Sequence, residues 1–269
     1  LNFNIFLQGK VKFVCLKKHS GLTFSWSPFT IPNISLVLTI PEEVIFCKLC
    51  VQSNQRPNSA PEYNKKDTKI NTVTFKDGVC DACRYYNEIK KKINWKDREK
   101  ELIELCDKYR DPNSQYDVLV PGSGGKDSIY VSHILKHKYK MKPLTVTWAP
   151  HMYTDIGKIN LENWIKSGFD NILITPNFKI HSTLTRLAFV NLINPFQPFI
   201  IGQKNISPKI ALKYNIKLIM YGENGAEAHN SLNDTLSPKM DINHYTIKNL
   251  NDELFFGGVS SQDLKKYNI

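Results

Sequence analysis

A glycine-rich stretch in the middle of the chain has the residue types of a phosphate-binding loop. It reads Pro121-Gly122-Ser123-Gly124-Gly125-Lys126-Asp127-Ser128 and follows the apolar run Val118–Val120. Glycines carry no Cβ, so a ligand can approach the backbone of Gly124 and Gly125 closely. The first amides of a following helix offer donors to an anion. With the hydroxyls of Ser123 and Ser128 and the cation of Lys126, the stretch predicts a phosphate site.

The spacing of these residues separates three kinds of phosphate loop. The Walker pattern fails because Asp127 follows Gly125-Lys126 and Val120 stands five positions before Gly125. The dinucleotide pattern G-x-G-x-x-G fails because Asp127 occupies the place of the third glycine. The remaining Ser123–Ser128 resembles the signature of PP-loop ATP pyrophosphatases, which cut ATP between its α and β phosphates and adenylate a substrate oxygen. A flexible turn between a strand and a helix is the alternative.

Four of the six cysteines form two C-x-x-C pairs, Cys47/Cys50 and Cys80/Cys83, with twenty-nine residues between them. Each pair places two thiolates on one tight turn, and two pairs complete a tetrahedral site for Zn²⁺. Four cysteines leave no open coordination position, so the predicted zinc is structural. An iron–sulfur cluster and a redox-active C-x-x-C remain alternatives. The redox alternative is disfavoured because two pairs are present and no βαβ unit surrounds either.

The elements that must position these residues are strands and helices that alternate beyond Tyr116. The strand-like runs are Asp117–Pro121, Leu144–Trp148, Asn171–Thr175 and Lys217–Tyr221. The helical runs lie near Ser128–Tyr139, Gly157–Ser167, Lys179–Leu192 and Ser207–Tyr214. This alternation predicts an α/β domain with a parallel sheet covered on both faces. Ligands of such sheets sit at the carboxyl ends of the strands, which makes Glu223 and Asn224 candidates for substrate or Mg²⁺ contact.

The other elements have weaker signals. Asn94 is a candidate cap for a helix from Trp95 to Tyr109, whose apolar stripe includes Cys106 as a buried residue. A strand at Thr72–Phe75 and a turn at Asp77-Gly78 are expected between the cysteine pairs. Trp148 ends the second strand and is either a core residue or a platform for adenine. Cys15 and His19 have no predicted role.

Length and composition bound the class of protein. The chain has 269 residues, 41% hydrophobic and 23% charged, as in globular domains. Its net charge of +11 comes from scattered lysines, so it does not identify a partner. No run approaches the length of a transmembrane helix, and no signal peptide is recognisable, so the cytoplasm is expected and a membrane is not. Residue 1 is not a methionine, so it is not expected to be the natural start.

Several motifs in a fixed order give a narrower resemblance. They are Cys47-x-x-Cys50, Arg56-Pro57-Asn58, Gly78-Val79-Cys80-Asp81-Ala82-Cys83, Asn94-Trp95-x-x-Arg98, Tyr116-Asp117, Pro121–Ser128, Thr154-x-x-Gly157-x-x-Asn160 and Tyr221-Gly222-Glu223-Asn224. From about residue 46 onward the chain resembles the N-acetyl sugar amidotransferase family, PP-loop enzymes of bacterial surface-polysaccharide synthesis (lipopolysaccharide O-antigen, capsule or flagellar glycan). Residues 1–44 have no counterpart, and family members continue beyond Ile269.

The resemblance implies an enzyme that converts an acetamido sugar to an acetamidino sugar. The fold implied is an adenine nucleotide alpha hydrolase-like domain at 94–269, expected to be incomplete at its C-terminus, after a Cys₄ zinc ribbon at 45–93 and an unassigned extension at 1–44. The cofactors are ATP, Mg²⁺ and structural Zn²⁺. Lys126 is expected to neutralise charge between the α and β phosphates, and Asp127 to orient the loop or help hold Mg²⁺.

The implied partners are a nucleotide-linked acetamido sugar and a separate glutaminase subunit that supplies ammonia. Two other functions stay open. A PP-loop tRNA-modifying enzyme would suit the positive charge, although no RNA-binding signature is present and nucleic acid is not the expected partner. A non-catalytic zinc-ribbon module that binds a nucleotide is the second alternative, disfavoured because Ser123–Ser128 is intact.

Overall fold

The computed structural model describes residues 43–55, 74–192, 194–223 and 254–269. Its strands are β1 (Phe75–Lys76), β2 (Val79–Cys80), β3 (Val118–Pro121), β4 (Pro143–Trp148), β5 (Asp170–Ile174), β6 (Phe255–Phe256) and β7 (Val259–Ser260). Its α-helices are α1 (Asp81–Arg84), α2 (Trp95–Tyr109), α3 (Lys126–His137), α4 (Asp155–Lys166), α5 (Phe178–Leu192) and α6 (Gln197–Lys213). A π-helical turn (Tyr85–Ile89) and two 3₁₀ turns (Lys90–Lys92 and Asp263–Tyr267) complete the described elements.

The central sheet is parallel, with β4 between β3 and β5. Residues 218–220 run along the other side of β3: the Leu119 amide donates to the Leu218 carbonyl at 2.9 Å, and the Met220 amide donates to the Leu119 carbonyl at 2.9 Å. The predicted α/β class and the first three predicted strands are therefore confirmed. The fourth predicted strand, Lys217–Tyr221, is reduced to a single bridge on Leu119.

Alternate residues of the strands pack on opposite faces of the sheet, as the two-residue period requires. Val118 and Val120 lie in a cluster with residues of α2, α3 and α4, among them Cys106, Leu135 and Trp164. Leu119 lies in a second cluster with Leu144, Val146, Ile210 and Ala211, which places α6 on the other face. Both faces are covered, and this burial explains the apolar character of β3.

One helix boundary and the burial of one helix residue differ from the sequence prediction. α6 begins at Gln197 rather than near Ser207 and runs through Pro208. A proline interrupts the helical hydrogen-bond ladder because it has no N–H, and for this reason the residues around it read as a helix start. Burial of Ile201 before Pro208 and of Ile210 after it explains why the helix continues. Trp95 opens α2 as predicted but is 64% exposed, so it lies outside the buried stripe.

The other predictions for α2 are confirmed. The Asn94 side chain accepts from the Lys96 amide at 3.1 Å and caps the helix. Cys106 is fully buried. Within the part of the chain that the structure describes, no helix is both long and apolar enough to cross a membrane. The domain boundary between residues 93 and 94 stays a prediction, and residues 1–42, with Cys15 and His19, lie outside the described residues.

Candidate functional site: a glycine-rich loop and a cysteine cluster

The glycine-rich loop leaves the carboxyl end of β3 and crosses to the start of α3. The Gly122 amide donates to the Val146 carbonyl at 3.0 Å, which extends the pairing of β3 and β4 into the loop. Gly124 has a φ of +83°, and a Cβ there would lie 2.6 Å from the backbone nitrogen of Leu161 in α4. Only glycine fits this position, because the backbone is left-handed and α4 stands against it. The loop is therefore fixed between β3 and α4.

The start of α3 leaves its first amides open to a ligand. Gly125 occupies the cap position with φ −73° and ψ 158° and has no side chain that could cover these amides. A Cβ on Gly125 would meet no atom of the described residues within 4 Å, so none of them fills the space in front of the loop. The buried Ser128 donates from its hydroxyl to the Gly125 carbonyl at 3.0 Å, and the Ile129 amide donates to the same carbonyl at 3.1 Å. An anion would meet amides and a helix dipole here.

The two charged residues of the loop are on the surface. The Lys126 ammonium lies 2.8 Å from the Asp127 carboxylate, and the two side chains are 89% and 54% exposed. Neither side chain is buried, and both lie at the start of α3. Ser123 is exposed as well. The structure thus brings Ser123–Ser128 together at one edge of the sheet, while their roles stay predictions.

The second element at this edge is Gly222, which follows residues 218–220. A Cβ on Gly222 would lie 2.7 Å from the carbonyl carbon of Asp127 and 2.8 Å from the amide nitrogen of Ser128. The strand order reverses between β3 and residues 218–220, which is where open α/β sheets bind ligands. Glu223 is exposed beside this point, and Asn224 lies outside the described residues.

Three further motif residues, Thr154, Asp117 and Tyr116, have structural roles. Thr154 caps α4 by accepting from the Gly157 amide at 3.0 Å, and this helix carries the backbone that Gly124 touches. Asp117 lies at the opposite, amino edge of the sheet, where its carboxylate accepts from the Lys142 amide at 2.7 Å. The Tyr116 hydroxyl donates to Asp170 at 2.6 Å, and this hydrogen bond, with burial, raises the pKa of Tyr116 to about 12. Tyr116-Asp117 thus anchors β3.

The four predicted metal ligands meet in space. The sulfur atoms of Cys47, Cys50, Cys80 and Cys83 all lie within 4.8 Å of one another, and those of Cys50 and Cys80 are 3.7 Å apart. A Zn–S bond of about 2.3 Å implies sulfurs about 3.8 Å apart around a tetrahedral ion. The separations therefore fit one tetrahedral ion. An iron–sulfur cluster with several irons would hold the cysteine sulfurs farther apart, because the cluster itself would lie between them.

Two tight turns supply these thiols. The Phe46–Ser53 bridge closes the first turn, and the Cys47 amide donates to the Gln52 carbonyl at 2.8 Å. The second is the hairpin of β1 and β2, where Asp77 and Gly78 have φ of 54° and 78°. Positive φ at both central residues is the geometry of a type I′ turn, which confirms the predicted Asp77-Gly78 turn. Of the predicted strand Thr72–Phe75, only Phe75 belongs to β1, while 72–73 lie outside the described residues.

Backbone amides and burial act on the thiols in opposite directions. Burial opposes ionisation of Cys47, but hydrogen bonds from the Cys80 and Leu49 amides, at 3.3 and 3.4 Å, outweigh it and lower the pKa to about 6. Burial raises the pKa of Cys80 and of Cys83, where neighbouring thiols add to the rise. A bound Zn²⁺ favours the thiolate of every ligand, and amides that donate to sulfur stabilise that charge. The donor set suits a thiolate-bound cation.

One group of side chains at the carboxyl edge combines Trp148, which was predicted as either a core residue or a platform for adenine, with two histidines. Trp148 ends β4, His151 follows it in the loop before α4, and His181 comes from α5. The ring centroids of His151 and His181 are 4.3 Å apart, and those of Trp148 and His181 are 6.2 Å apart. Twenty-nine residues separate the two histidines in sequence, so no local motif could have joined them.

Comparisons with known proteins leave the family open. No protein-family model matches the chain, and no curated protein does. Among solved structures, the chain is similar to "NH3-dependent NAD synthetase from Campylobacter jejuni subsp. jejuni NCTC 11168 in complex with the nitrate ion". The identity is 17%, the TM-score is 0.38, and the match covers 51% of this chain and 59% of that chain. At this level the similarity does not bear on the chemistry of the chain.

Proposed function

We propose that the chain is an ATP-dependent amidotransferase of the PP-loop type, which replaces the oxygen of an acetamido group on a nucleotide-linked sugar with nitrogen from ammonia. The observation that carries the proposal is the start of α3, where the open amides, Gly124 and Gly222 converge at the point where the strand order reverses. The assignment of a sugar substrate depends on the order of the motifs from Cys47 to Glu223, and it is the more specific part of the proposal.

The reaction has two steps. In the first, the amide oxygen attacks the α phosphorus of ATP, the bond from that phosphorus to the β-phosphate oxygen breaks, and pyrophosphate leaves. In the second, ammonia attacks the activated carbon, the carbon–oxygen bond breaks, AMP leaves with the oxygen, and one proton passes to solvent as the amidinium forms. Activation is needed because an amide carbon is a poor electrophile and its oxygen a poor leaving group.

The residues of the loop would act mainly on the phosphates. The amides of Gly124, Gly125 and the first turn of α3 would donate to the pyrophosphate oxygens as negative charge moves onto them. The exposed Lys126 would swing from Asp127 onto the oxygen between the α and β phosphates. Asp127, once released, would hold the Mg²⁺ that accompanies ATP, since carboxylate and phosphate oxygens are its preferred ligands. Lys126 and Asp127 are the proposed catalytic pair.

The described residues supply no nucleophile for releasing ammonia from glutamine. Cys106 is the described cysteine outside the metal cluster, and it is fully buried in the core. Burial raises the pKa of its thiol, whereas a glutaminase cysteine must be accessible and ionised. We therefore propose that a separate glutaminase subunit delivers ammonia, in the cytoplasm, where ATP is available.

The cysteine cluster is proposed to hold structural Zn²⁺. Cys47, Cys50, Cys80 and Cys83 would fill its coordination shell, leaving no position for substrate. Bound there, the ion would supply folding free energy to a segment whose described core is small, with Phe75 and Val79 packed against the cysteines.

The decisive experiment is mass spectrometry of UDP-linked acetamido sugars after incubation with the chain, ATP, Mg²⁺ and ammonium. Replacement of oxygen by NH in the sugar, together with release of AMP and pyrophosphate, is expected. A mass change in tRNA instead would favour base modification, and nucleotide binding without pyrophosphate release would favour a binding module.

A matched pair of variants connects the reaction to the loop. Lys126→Ala should abolish pyrophosphate release. Lys166→Ala should keep it, because Lys166 is similarly exposed (73%) and lies near Glu162 in a comparable surface pair at the far end of α4. Equal activity of the two variants would remove Lys126 from the mechanism.

A further inference from the structure

The group of aromatic side chains at the end of β4 is built from three separate elements. We call Trp148, His151, His181 and Phe199 the aromatic cluster; they come from β4 and its following loop, from α5 and from α6. Besides the two contacts given above, the ring centroids of His151 and Phe199 lie 5.7 Å apart. Trp148 points to the α6 face of the sheet, and a Cβ on Gly202 would lie 2.3 Å from its indole ring. Gly202 thus makes room for the indole.

One side chain of the aromatic cluster is buried, and the other three are half-buried. His181 is 8% exposed, while Trp148, His151 and Phe199 are partly exposed. Three of its nitrogens, Nε1 of Trp148 and Nε2 of both histidines, are buried and have no hydrogen-bond partner among the described residues. A buried polar atom without a partner destabilises the folded state. A polar ligand placed among these three atoms would supply the partners that they lack.

The chemistry of the three nitrogens restricts that ligand. An indole N–H only donates, so it cannot bind a metal, and the ligand must bring an acceptor to it. A neutral imidazole nitrogen either donates or accepts, depending on its tautomer. Hydroxyl and acetamido groups offer both functions on one small ring. A pyranose also has C–H faces that pack on aromatic side chains.

The ring geometry favours a non-planar ligand over a base. The planes of His151 and His181 are tilted by 33°, those of His151 and Phe199 by 46°, and those of Trp148 and His181 by 68°. A flat purine stacks best between parallel faces, and none of these pairs is parallel. A puckered sugar ring presents C–H groups and hydroxyls in several directions, as mutually tilted rings require.

We propose that the aromatic cluster binds the sugar ring of the acceptor, with the unpartnered nitrogens of Trp148, His151 and His181 holding its hydroxyl or acetamido groups. This inference rests on the proposed function for the identity of the acceptor. The position of the cluster agrees with this role. Pro121 of β3 pairs with Val146 of β4, so Trp148, the last residue of β4, lies on the strand next to the one that leads into the glycine-rich loop. A ligand seated on the cluster lies at the same edge as the loop.

The test measures sugar and nucleotide binding separately. Saturation-transfer NMR with UDP-N-acetylglucosamine and UDP-N-acetylgalactosamine reports which ligand protons touch the protein, and calorimetry gives their affinities and that of α,β-methylene-ATP. Saturation of pyranose or acetyl protons is expected in the wild-type chain. Trp148→Phe keeps an aromatic ring without the N–H, and His151→Gln keeps a polar group; each should weaken sugar binding about tenfold, the equivalent of one hydrogen bond. Binding of α,β-methylene-ATP should change less than twofold.

The outcomes separate this inference from the proposed function. Loss of nucleotide affinity with unchanged sugar affinity would place a base on the cluster and overturn the inference. Unchanged affinity for both ligands would overturn it too, even if the chain makes amidine. Absence of sugar binding in the wild-type chain would also count against it, while pyrophosphate release tests the loop independently. Trp148 and His151 carry the test because they are half-buried, whereas a change at the buried His181 could impair folding.

Discussion

Gly124 and Leu161 are in backbone contact: a Cβ on Gly124 would lie 2.7 Å from the Leu161 Cα. This contact joins the glycine-rich loop to the middle of α4, whose N-terminus Thr154 caps. The loop therefore has two supports, β3 behind it and α4 beside it. The proposed phosphate site, fixed in this way, would keep its amides in place before the ligand arrives, which is the condition for preorganised electrostatic stabilisation.

The first prediction compares adjacent glycines. Gly124→Ala should lower the free energy of unfolding by more than about 1–3 kcal/mol, the range for a strained φ, because the clash with α4 adds to the strain. Gly125→Ala should change stability much less, because its φ is −73° and its Cβ would meet no atom of the described part of the chain. It should nevertheless weaken ATP binding, since the added methyl stands in front of the open amides. Urea unfolding and calorimetry with α,β-methylene-ATP measure the two effects.

Equal stabilities of the two glycine variants would contradict the contact between the loop and α4. An unchanged ATP affinity in Gly125→Ala would show that the ligand does not approach the backbone at this position.

The second prediction concerns metal content. The purified chain should contain one Zn²⁺, and Cys80→Ser should lose it together with the cooperative unfolding of the segment around β1 and β2, because the ion supplies much of that segment's stability. Cys106→Ala is the matched control, since it removes a buried thiol 0% exposed like Cys80 but far from the cluster in sequence. It should keep the metal while losing stability through a core cavity. Elemental analysis and thermal unfolding with and without chelator provide the measurements, and full metal content in Cys80→Ser would refute the site.

The sequence predicts the parts of this structure that depend on local pattern. The apolar runs at Val118–Val120 and 144–148, the Asn94 cap and the Asp77-Gly78 turn are all found, because each is set by residues close in sequence. The cysteine pairs were also predictable, since spacing within a pair fixes each turn and metal chemistry demands both. The Ser123–Ser128 loop lies at the strand end where its glycines place it.

What the sequence could not predict depends on contacts between distant elements. The predicted start of α6 was wrong because Pro208 locally resembles the beginning of a helix. The burial of Ile201 against other elements, which keeps the helix continuous, is not visible in the sequence pattern. The pairing of His151 with His181 requires α5 to fold back over the end of β4. Gly222 and Gly202 look like ordinary loop and helix glycines, yet each removes a Cβ that would collide with Asp127 or Trp148.

The third prediction tests the packing of α3 on α4. The Trp164 indole N–H donates to the Ser132 hydroxyl at 2.8 Å, and both side chains are buried. Ser132→Ala leaves that N–H without a partner and should lower the free energy of unfolding by about 1–3 kcal/mol. In a Trp164→Phe background the same change should cost less, because no N–H remains to be stranded. A double-mutant cycle by urea unfolding measures the coupling, and additive effects would show that the hydrogen bond contributes nothing.

The fourth prediction is a pH dependence of stability that originates in the aromatic cluster. Burial lowers the pKa of His181 below its ordinary 6.5, and the charge of His151 lowers it further, although a hydrogen bond with the Pro198 backbone acts in the opposite direction. Burial lowers the pKa of His151 as well. The unfolded chain therefore binds more protons than the folded chain once the pH falls below the ordinary histidine pKa. Stability must rise with pH in that window and be lost as the pH decreases.

The measurement is the difference in urea midpoint between pH 7.5 and pH 5.5, values chosen to bracket the ordinary histidine pKa of about 6.5. His181→Gln should show a smaller difference than the wild-type chain, because glutamine does not titrate and the carboxylates contribute alike to both proteins. The comparison uses differences between two pH values, so a general loss of stability from the buried substitution cancels. If His181→Gln keeps the full wild-type difference, burial does not hold the imidazole neutral. The buried position of His181 in the aromatic cluster would then be contradicted.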